Sequence, residues 1–147
     1  MFHAIVFPPK YIQGQGALKE IGHYVEQIGK RALLVGDEIS FSLGADTICR
    51  SLSDHGVDCV KMRFGGECTH REIARIAEQA KEENRDTIIG LGAGKVVDAS
   101  RAASFQCNCR LVVVPTAVSS TAPISSSSVV YTEQHTFDVE LEFPANP

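Results

Sequence analysis

Residues 88–101, which read IIGLGAGKVVDASR, decide the fold of this chain. An apolar run leads directly into Gly92-Ala93-Gly94, and a segment of helical character follows at once. Glycines permit positive φ and a close approach of the backbone, while a helix start offers unpaired N–H groups and a positive dipole end. The order of strand, glycine turn and helix predicts an anion site suited to a pyrophosphate, with Lys95 adding charge. The alternative is a tight turn that requires glycine and binds nothing.

Apolar runs recur along the chain at intervals typical of strand–helix–strand units. The runs are residues 32–35, 59–62, 87–91 and 111–114. Between them, apolar residues at helical spacing form three stripes: Leu18 to Ile28, Ile39 with Ile48 and Leu52, and Ile73 to Ala80. Thr69 and Glu72 match a capping box before the third stripe. The pattern predicts an α/β fold with a Rossmann-like parallel sheet and helices on both faces.

The two ends of the chain depart from this pattern. Residues 5–9 and 11–14 predict an extended leading segment, with an edge strand as one option. Residues 128–131 and 137–143 alternate between apolar and polar side chains, which predicts a C-terminal β-hairpin. At this length, residues 1–147 are expected to form one domain.

Composition excludes several classes of function. The 147 residues carry a net charge of −4 and no basic run, which argues against a nucleic-acid partner. No apolar window is long enough to span a membrane. The first residues lack the charged and apolar regions of a signal peptide, so the cytoplasm is the expected location.

Two further segments follow predicted strands and are candidates for ligand contacts. Asp37, after the first strand, can accept hydrogen bonds from the ribose hydroxyls of an adenosine and would repel a 2′-phosphate, which favours NAD over NADP. It suits a helix N-cap equally well. Residues 115–123 are rich in hydroxyl side chains and predict either a crevice wall at the carboxyl end of the sheet or a plain polar loop.

The histidines and cysteines form no ligand pattern in the sequence. The five histidines include no pair three or four residues apart, so they are predicted to be surface side chains rather than ligands. The five cysteines are predicted to be reduced, and Cys107-Asn108-Cys109 alone is too weak a signal for a metal site. No Ser/His/Asp order or carboxylate pair is apparent. The sequence therefore predicts a binding site, with no catalytic residue and no metal ligand in this chain.

Four segments together resemble the N-terminal cofactor domain of the glycerol dehydrogenases, within the iron-containing alcohol dehydrogenase superfamily. They are residues 9–18, 32–37, 92–98 and 114–131, and the resemblance extends over nearly the whole chain. It implies an NAD-dependent, metal-assisted oxidation of glycerol or a related vicinal diol to dihydroxyacetone or its equivalent. The implied metal is divalent, zinc rather than iron, and its ligands lie in a helical C-terminal domain that is absent here. The chain is therefore expected to be an inactive fragment of a longer, homo-oligomeric enzyme with a polyol substrate.

The resemblance also implies roles for individual residues. Asp37 would hold the adenosine ribose, and the backbone at Gly94 and Lys95 would hold the pyrophosphate, with Asp98 nearby. Thr121 would contact the substrate. The rest of the cofactor site would comprise Gly92, Thr116, Ser119, Ser125, Ser127 and Tyr131.

Three positions depart from the superfamily's usual residues. Thr121 stands where an aspartate usually contacts the substrate, Ala93 replaces a glycine, and Arg101 replaces a lysine. The neutral Thr121 keeps a second substrate class open, a hydroxycarboxylate or glycerol phosphate. A third hypothesis is a stand-alone, inactive nucleotide-binding module. Ala93 is compatible with the turn only if that position does not need positive φ.

Overall fold

A four-stranded parallel sheet forms the centre of the structure, a computed structural model that describes residues 8–117 and 119–143. Its strands lie in the order β2-β1-β3-β4. They are β1 (Arg31–Gly36), β2 (Asp58–Arg63), β3 (Thr87–Gly92) and β4 (Arg110–Pro115). The four strands predicted from the apolar runs are confirmed. Because all four are parallel, their carboxyl ends lie along one edge of the sheet.

Helices cover both faces of this sheet, as predicted. After a 3₁₀ helix (Ala17–Glu20) come α1 (Ile21–Val25), α2 (Glu38–Asp54), α3 (His70–Glu82) and α4 (Gly94–Cys107). Alternate strand residues point to opposite faces. Leu33 and Ile88 pack into one hydrophobic cluster with α3 and α4, whereas Leu34 and Ile89 pack into the other with α1 and α2.

Two of the helices have a short polar side chain at the N-cap. Asp37 is the N-cap of α2, and its Oδ1 accepts a hydrogen bond from the Ser40 N–H at 2.7 Å. Thr69 caps α3 by accepting from the Glu72 N–H at 3.1 Å. The capping-box prediction is only half right, because the Glu72 carboxylate accepts from the Gly65 N–H at 2.7 Å instead of returning to the N-cap.

Two residues of the predicted apolar stripes face solvent. Ile28 is 43% exposed, because α1 ends at Val25 and the chain turns away before residue 28. Ile39 lies in the first turn of α2 and is 74% exposed. Of the predicted leading segment, residues 8–14 form no strand, and the remainder lies outside the described residues.

The predicted C-terminal hairpin is also confirmed. Strands β5 (Ser127–Tyr131) and β6 (Phe137–Glu142) pair antiparallel. Val130 is buried in the cluster beneath α3 and α4, and the Tyr131 N–H donates to the Cys68 carbonyl at 2.8 Å. These contacts place one face of the hairpin beside the start of α4. None of the helices in the described ranges is long and apolar enough to cross a membrane.

Candidate functional site

A cavity of about 460 Å³ opens beside the start of α4. Its walls come from the turn after β3, from the hydroxyl-rich loop after β4 and from the hairpin. The lining residues are Ala93, Gly94, Lys95, Asp98, Ser119, Ser120, Thr121, Ala122, Ser125, Ser127, Val129, Tyr131 and Glu140. The loop after β4 therefore lines a crevice, which is one of the two alternatives that its sequence left open.

The glycines of the turn do not adopt unusual backbone angles. Gly92 allows close packing, and Gly94 leaves space at the cavity wall. Neither Gly92 nor Gly94 has positive φ, so that part of the prediction is wrong. A Cβ on Gly92 would lie 2.7 Å from Val96 Cγ2, too close for any side chain. A Cβ on Gly94 would lie 3.7 Å from both Ala122 Cβ and Ser120 Oγ, an ordinary contact distance at the cavity wall. Ala93 fits because its φ of −81° is open to any residue.

The start of α4 carries the donors that an anion needs. Ala93 is the N-cap and supplies no side-chain acceptor. In the described part of the chain, the N–H groups of Gly94 and Lys95 find no protein acceptor, since the first helical bonds run from Val96 and Val97. The 14 residues of α4 also direct the positive end of the helix dipole to this point. The turn can thus bind a phosphate through its backbone.

A buried ion pair fixes α4 against the loop and the hairpin. Asp98 and Arg101 are 8% and 4% exposed and lie 3.1 Å apart. Arg101 also donates to the Ser127 carbonyl at 2.7 Å and to the Ala122 carbonyl, and Val129 donates its N–H to Asp98. Burial raises the pKa of Asp98 and lowers that of Arg101, although each charge also stabilises the other. Sequence reasoning noticed Arg101 only as a substitution and missed this role.

A second pair holds the Lys95 side chain at the cavity. Its Nζ lies 2.7 Å from Glu67 Oε2 and 5.7 Å from the centre of the Tyr131 ring. His135 Nδ1 contacts the same carboxylate oxygen at 2.9 Å. Burial raises the pKa of Glu67, but hydrogen bonds from Lys95, His135 and the Cys68 N–H outweigh it and bring the pKa below its ordinary value. Neither Glu67 nor His135 stands out in the sequence, because no motif links residues 68 positions apart.

Hydroxyl groups line the opposite wall. Ser125 Oγ and Ser127 Oγ lie 2.9 Å apart, and Ser127 Oγ donates to Glu140 Oε1 at 2.6 Å. The Thr121 carbonyl accepts from the N–H groups of Ile124 and Ser125, which shapes the loop at that residue. Glu140 adds a carboxylate that the sequence did not indicate.

The structure brings most of the sequence-predicted site residues together. Around the cavity lie Gly94, Lys95, Asp98, Ser119, Thr121, Ser125, Ser127 and Tyr131. The other three do not line it but lie at carboxyl ends of the sheet: Asp37 follows β1, Gly92 ends β3 and Thr116 follows β4. The Thr116 N–H donates to the Gly92 carbonyl at 3.0 Å, so these two ends are held together.

Comparisons with known proteins agree on one family. A family model for iron-containing alcohol dehydrogenases matches residues 8–145. The chain is 37% identical over its whole length to a glycerol dehydrogenase of Pseudomonas putida, and 38% identical over 140 residues to a glycolaldehyde reductase of Halobacterium salinarum. It covers 40% and 38% of those proteins, so it spans well under half of the curated relatives' length.

Solved structures agree with the sequence comparisons. A probable glycerol dehydrogenase of Sinorhizobium meliloti superposes with a TM-score of 0.88 at 34% identity, over 99% of this chain and 39% of that one. Glycerol dehydrogenase of Schizosaccharomyces pombe gives a TM-score of 0.88 at 31% identity, over 99% and 37%.

Proposed function

The chain belongs to the iron-containing alcohol dehydrogenase family, and from that premise we propose that it is the cofactor-binding part of an NAD-dependent polyol dehydrogenase. The reaction would oxidise the secondary hydroxyl of glycerol, or of a related vicinal diol, to a ketone. The observation that carries this proposal is the turn at Gly94, where two backbone N–H groups with no acceptor among the described residues lie beside an open cavity at the start of a helix.

The turn fits a dinucleotide in shape as well as in charge. Gly94 needs no special φ and has room for a Cβ, and the absence of a side chain there would allow the close approach of a ligand. The pyrophosphate would accept hydrogen bonds from the N–H groups of Gly94 and Lys95. When bound, NAD would supply a hydride acceptor for the carbon that carries the substrate hydroxyl.

Asp37 would bind the other end of the dinucleotide. Its Oδ1 is used by the Ser40 N–H, and Oδ2 would accept from the ribose hydroxyls of the adenosine. The charge of the carboxylate would repel a 2′-phosphate, which supports NAD over NADP. Capping and ribose binding are therefore compatible roles for one side chain.

The remaining walls would position the rest of the cofactor and the substrate. Glu67 holds the Lys95 ammonium beside the cavity, where it would add positive charge near the pyrophosphate. Ser119, Ser125, Ser127 and Tyr131 would line the cofactor site, and the Thr121 hydroxyl would hydrogen-bond the polyol.

The described residues of the cavity do not fit the family's divalent metal. Its two carboxylates are already engaged, Asp98 by Arg101 and Glu140 by Ser127. No histidine or cysteine is among the lining residues. We therefore propose that a metal acting on the substrate, zinc by the resemblance, takes its ligands from outside this chain, in a longer protein.

A second substrate class follows from one position. Thr121 is neutral where a substrate-contacting aspartate is expected, so a negatively charged substrate would not be repelled there. A 2-hydroxy acid or a glycerol phosphate is therefore the second candidate, within the same reaction type.

Turnover assays of the native protein that carries this sequence distinguish the candidates. With NAD as oxidant, glycerol and 1,2-propanediol should be oxidised faster than 2-hydroxy acids or glycerol phosphate. Thr121→Asp should lower KM for the diols, and Thr121→Val, which lacks the hydroxyl, should raise it. Turnover of only the charged substrates would favour the second class. Failure of all substrates, with NAD still bound, would indicate an inactive nucleotide-binding module.

A further inference from the structure

Two helix ends outside the cavity bring three metal-ligating side chains together. His23 lies in α1, Glu26 directly follows α1, and His55 is the C-cap of α2. Glu26 Oε1 lies 3.0 Å from His55 Nδ1 and 3.7 Å from His23 Nδ1. Each of the three side chains places one possible ligand atom within 4.8 Å of the other two. It is the only such group of three or more among residues 8–117 and 119–143, and none of its members lines the cavity.

These distances suit a small divalent ion. A tetrahedral ion that binds nitrogen and oxygen at about 2.0–2.1 Å places its ligand atoms about 3.3 Å apart. The two separations from Glu26 Oε1, 3.0 and 3.7 Å, lie on either side of that value. We propose that His23, Glu26 and His55 form a binding site for a divalent transition-metal ion of the zinc class, which bridges α1 and α2. Two imidazoles and one carboxylate would occupy three positions, with water in the fourth.

Tight contact between the two helices holds the ligands in place. The Gly22 N–H donates to Ser51 Oγ at 2.9 Å, and Ser51 Oγ donates to the Lys19 carbonyl at 2.7 Å. A Cβ on Gly22 would collide with the Ser51 carbonyl and lie 2.6 Å from His55 Cδ2. The glycine therefore lets α1 approach α2 closely enough to set the His55 ring beside Glu26. The scaffold of the site is fixed by packing that does not depend on the ion.

Exposure and charge are compatible with an ion arriving from solvent. The side chains of His23, Glu26 and His55 are 54%, 33% and 32% exposed. Lys30 Nζ approaches the other oxygen of Glu26, Oε2, at 4.0 Å, which leaves Oε1 facing the imidazoles. His55 sits at the C-terminal end of the 17-residue α2, where the helix dipole favours a cation.

Calorimetric titration of the chain with Zn²⁺, after treatment with a chelator, tests the site. We expect one ion per chain. Since loss of a supporting residue around a metal site costs about 10–100-fold in affinity, His23→Ala and His55→Gln should each weaken binding by at least about 100-fold. His70→Ala is the matched control, because His70 also faces a carboxylate, Asp138 at 3.0 Å, but has no third ligand among the described residues. It should leave Zn²⁺ binding unchanged.

Two further readouts distinguish an ion held by these three side chains from an ion held by thiols. The absorption spectrum with Co²⁺ bound should lack thiolate charge-transfer bands. That result would exclude the five cysteines as ligands of the ion. Zn²⁺ should raise the Tm of the wild type but not of His23→Ala, an exposed change that leaves the fold intact. In a longer native protein that binds a second metal, wild type and His23→Ala should still differ by one bound ion per chain. Equal Zn²⁺ affinity in wild type and His23→Ala, or the absence of stoichiometric binding, would contradict the proposal. The three side chains would then only hydrogen-bond the two helix ends to each other.

Discussion

Asp37 caps α2 and is also proposed to bind the adenosine ribose. Two substitutions distinguish these two roles. Asp37→Ser keeps an N-cap hydroxyl but removes the charge, so the free energy of unfolding should change little while the preference for NAD over NADP is lost. Asp37→Ala should lose that preference as well and also cost about 1 kcal/mol of stability. Calorimetric titrations with both cofactors, together with urea unfolding, measure the two effects. A wild type that binds NAD and NADP equally, or an unaltered preference in Asp37→Ser, would contradict the proposed role.

Glu67 links the cavity to the pH dependence of stability. Its pKa is lowered from an ordinary value of 4.5, because the hydrogen bonds it accepts outweigh the effect of burial. A carboxyl whose folded pKa is depressed stabilises the fold above the unfolded pKa, and that contribution is lost as pH falls through the folded pKa. Glu67→Gln should therefore flatten the fall in stability below about pH 4.5.

Urea unfolding at a series of acidic pH values measures this effect. Glu78→Gln, on the exposed side of α3, is the matched control and should follow the wild-type curve. Parallel curves for wild type and Glu67→Gln would show that folding does not lower the pKa of Glu67, and would contradict this account.

At the scale of elements, Arg101 is the residue that holds α4, the hydroxyl-rich loop and β5 together. Arg101→Ala leaves the buried Asp98 uncompensated and removes a donor from two carbonyls, so it should cost about 3–5 kcal/mol. Arg63→Ala is the control, because its ion pair with Glu38 is 75% and 83% exposed and worth at most about 1 kcal/mol. Denaturant unfolding measures both, and equal losses would contradict the account of the buried pair.

The elements themselves were largely predictable from local pattern. The continuous apolar runs at residues 32–35 and 87–91 mark strands buried on both faces, and the alternation at 137–143 marks the hairpin. Local pattern did not predict where a helix ends or which distant group a side chain contacts. Ile28 follows a helix that ends early, and the carboxylate of Glu72 is drawn to Gly65 across a loop.

The position of the candidate site was predictable from the sequence, but the long-range contacts that hold its residues in place were not. The strand, turn and helix around Gly94 are contiguous in sequence, so a candidate anion site could be placed there. Arg101 contacts residues more than twenty positions away, and His23 meets His55 only because α1 packs on α2. Such contacts depend on tertiary packing, which no short motif encodes.

At the scale of the whole molecule, β4 is an outer strand of the described sheet. Its residues 111–114 are apolar and only half-buried, which leaves an edge that a second copy could pair with. The 147-residue chain is therefore expected to self-associate at high concentration. Light scattering measures this, and Val113→Lys should reduce association because lysine blunts edge pairing. A monomeric wild type at high concentration would contradict the expectation.

Whether a dinucleotide phosphate binds the turn at residues 92–94 is tested most directly by titrating NAD into wild type and Gly94→Ala in a calorimeter. The methyl group has room in the protein and meets no strained φ, so stability should be unchanged or slightly raised. It would occupy the place of the phosphate, so the affinity for NAD should fall at least about tenfold, or 1.4 kcal/mol. Gly14→Ala, which also has room but lies outside the cavity, should bind as wild type does. Equal NAD affinity in wild type and Gly94→Ala would show that the turn does not hold the cofactor.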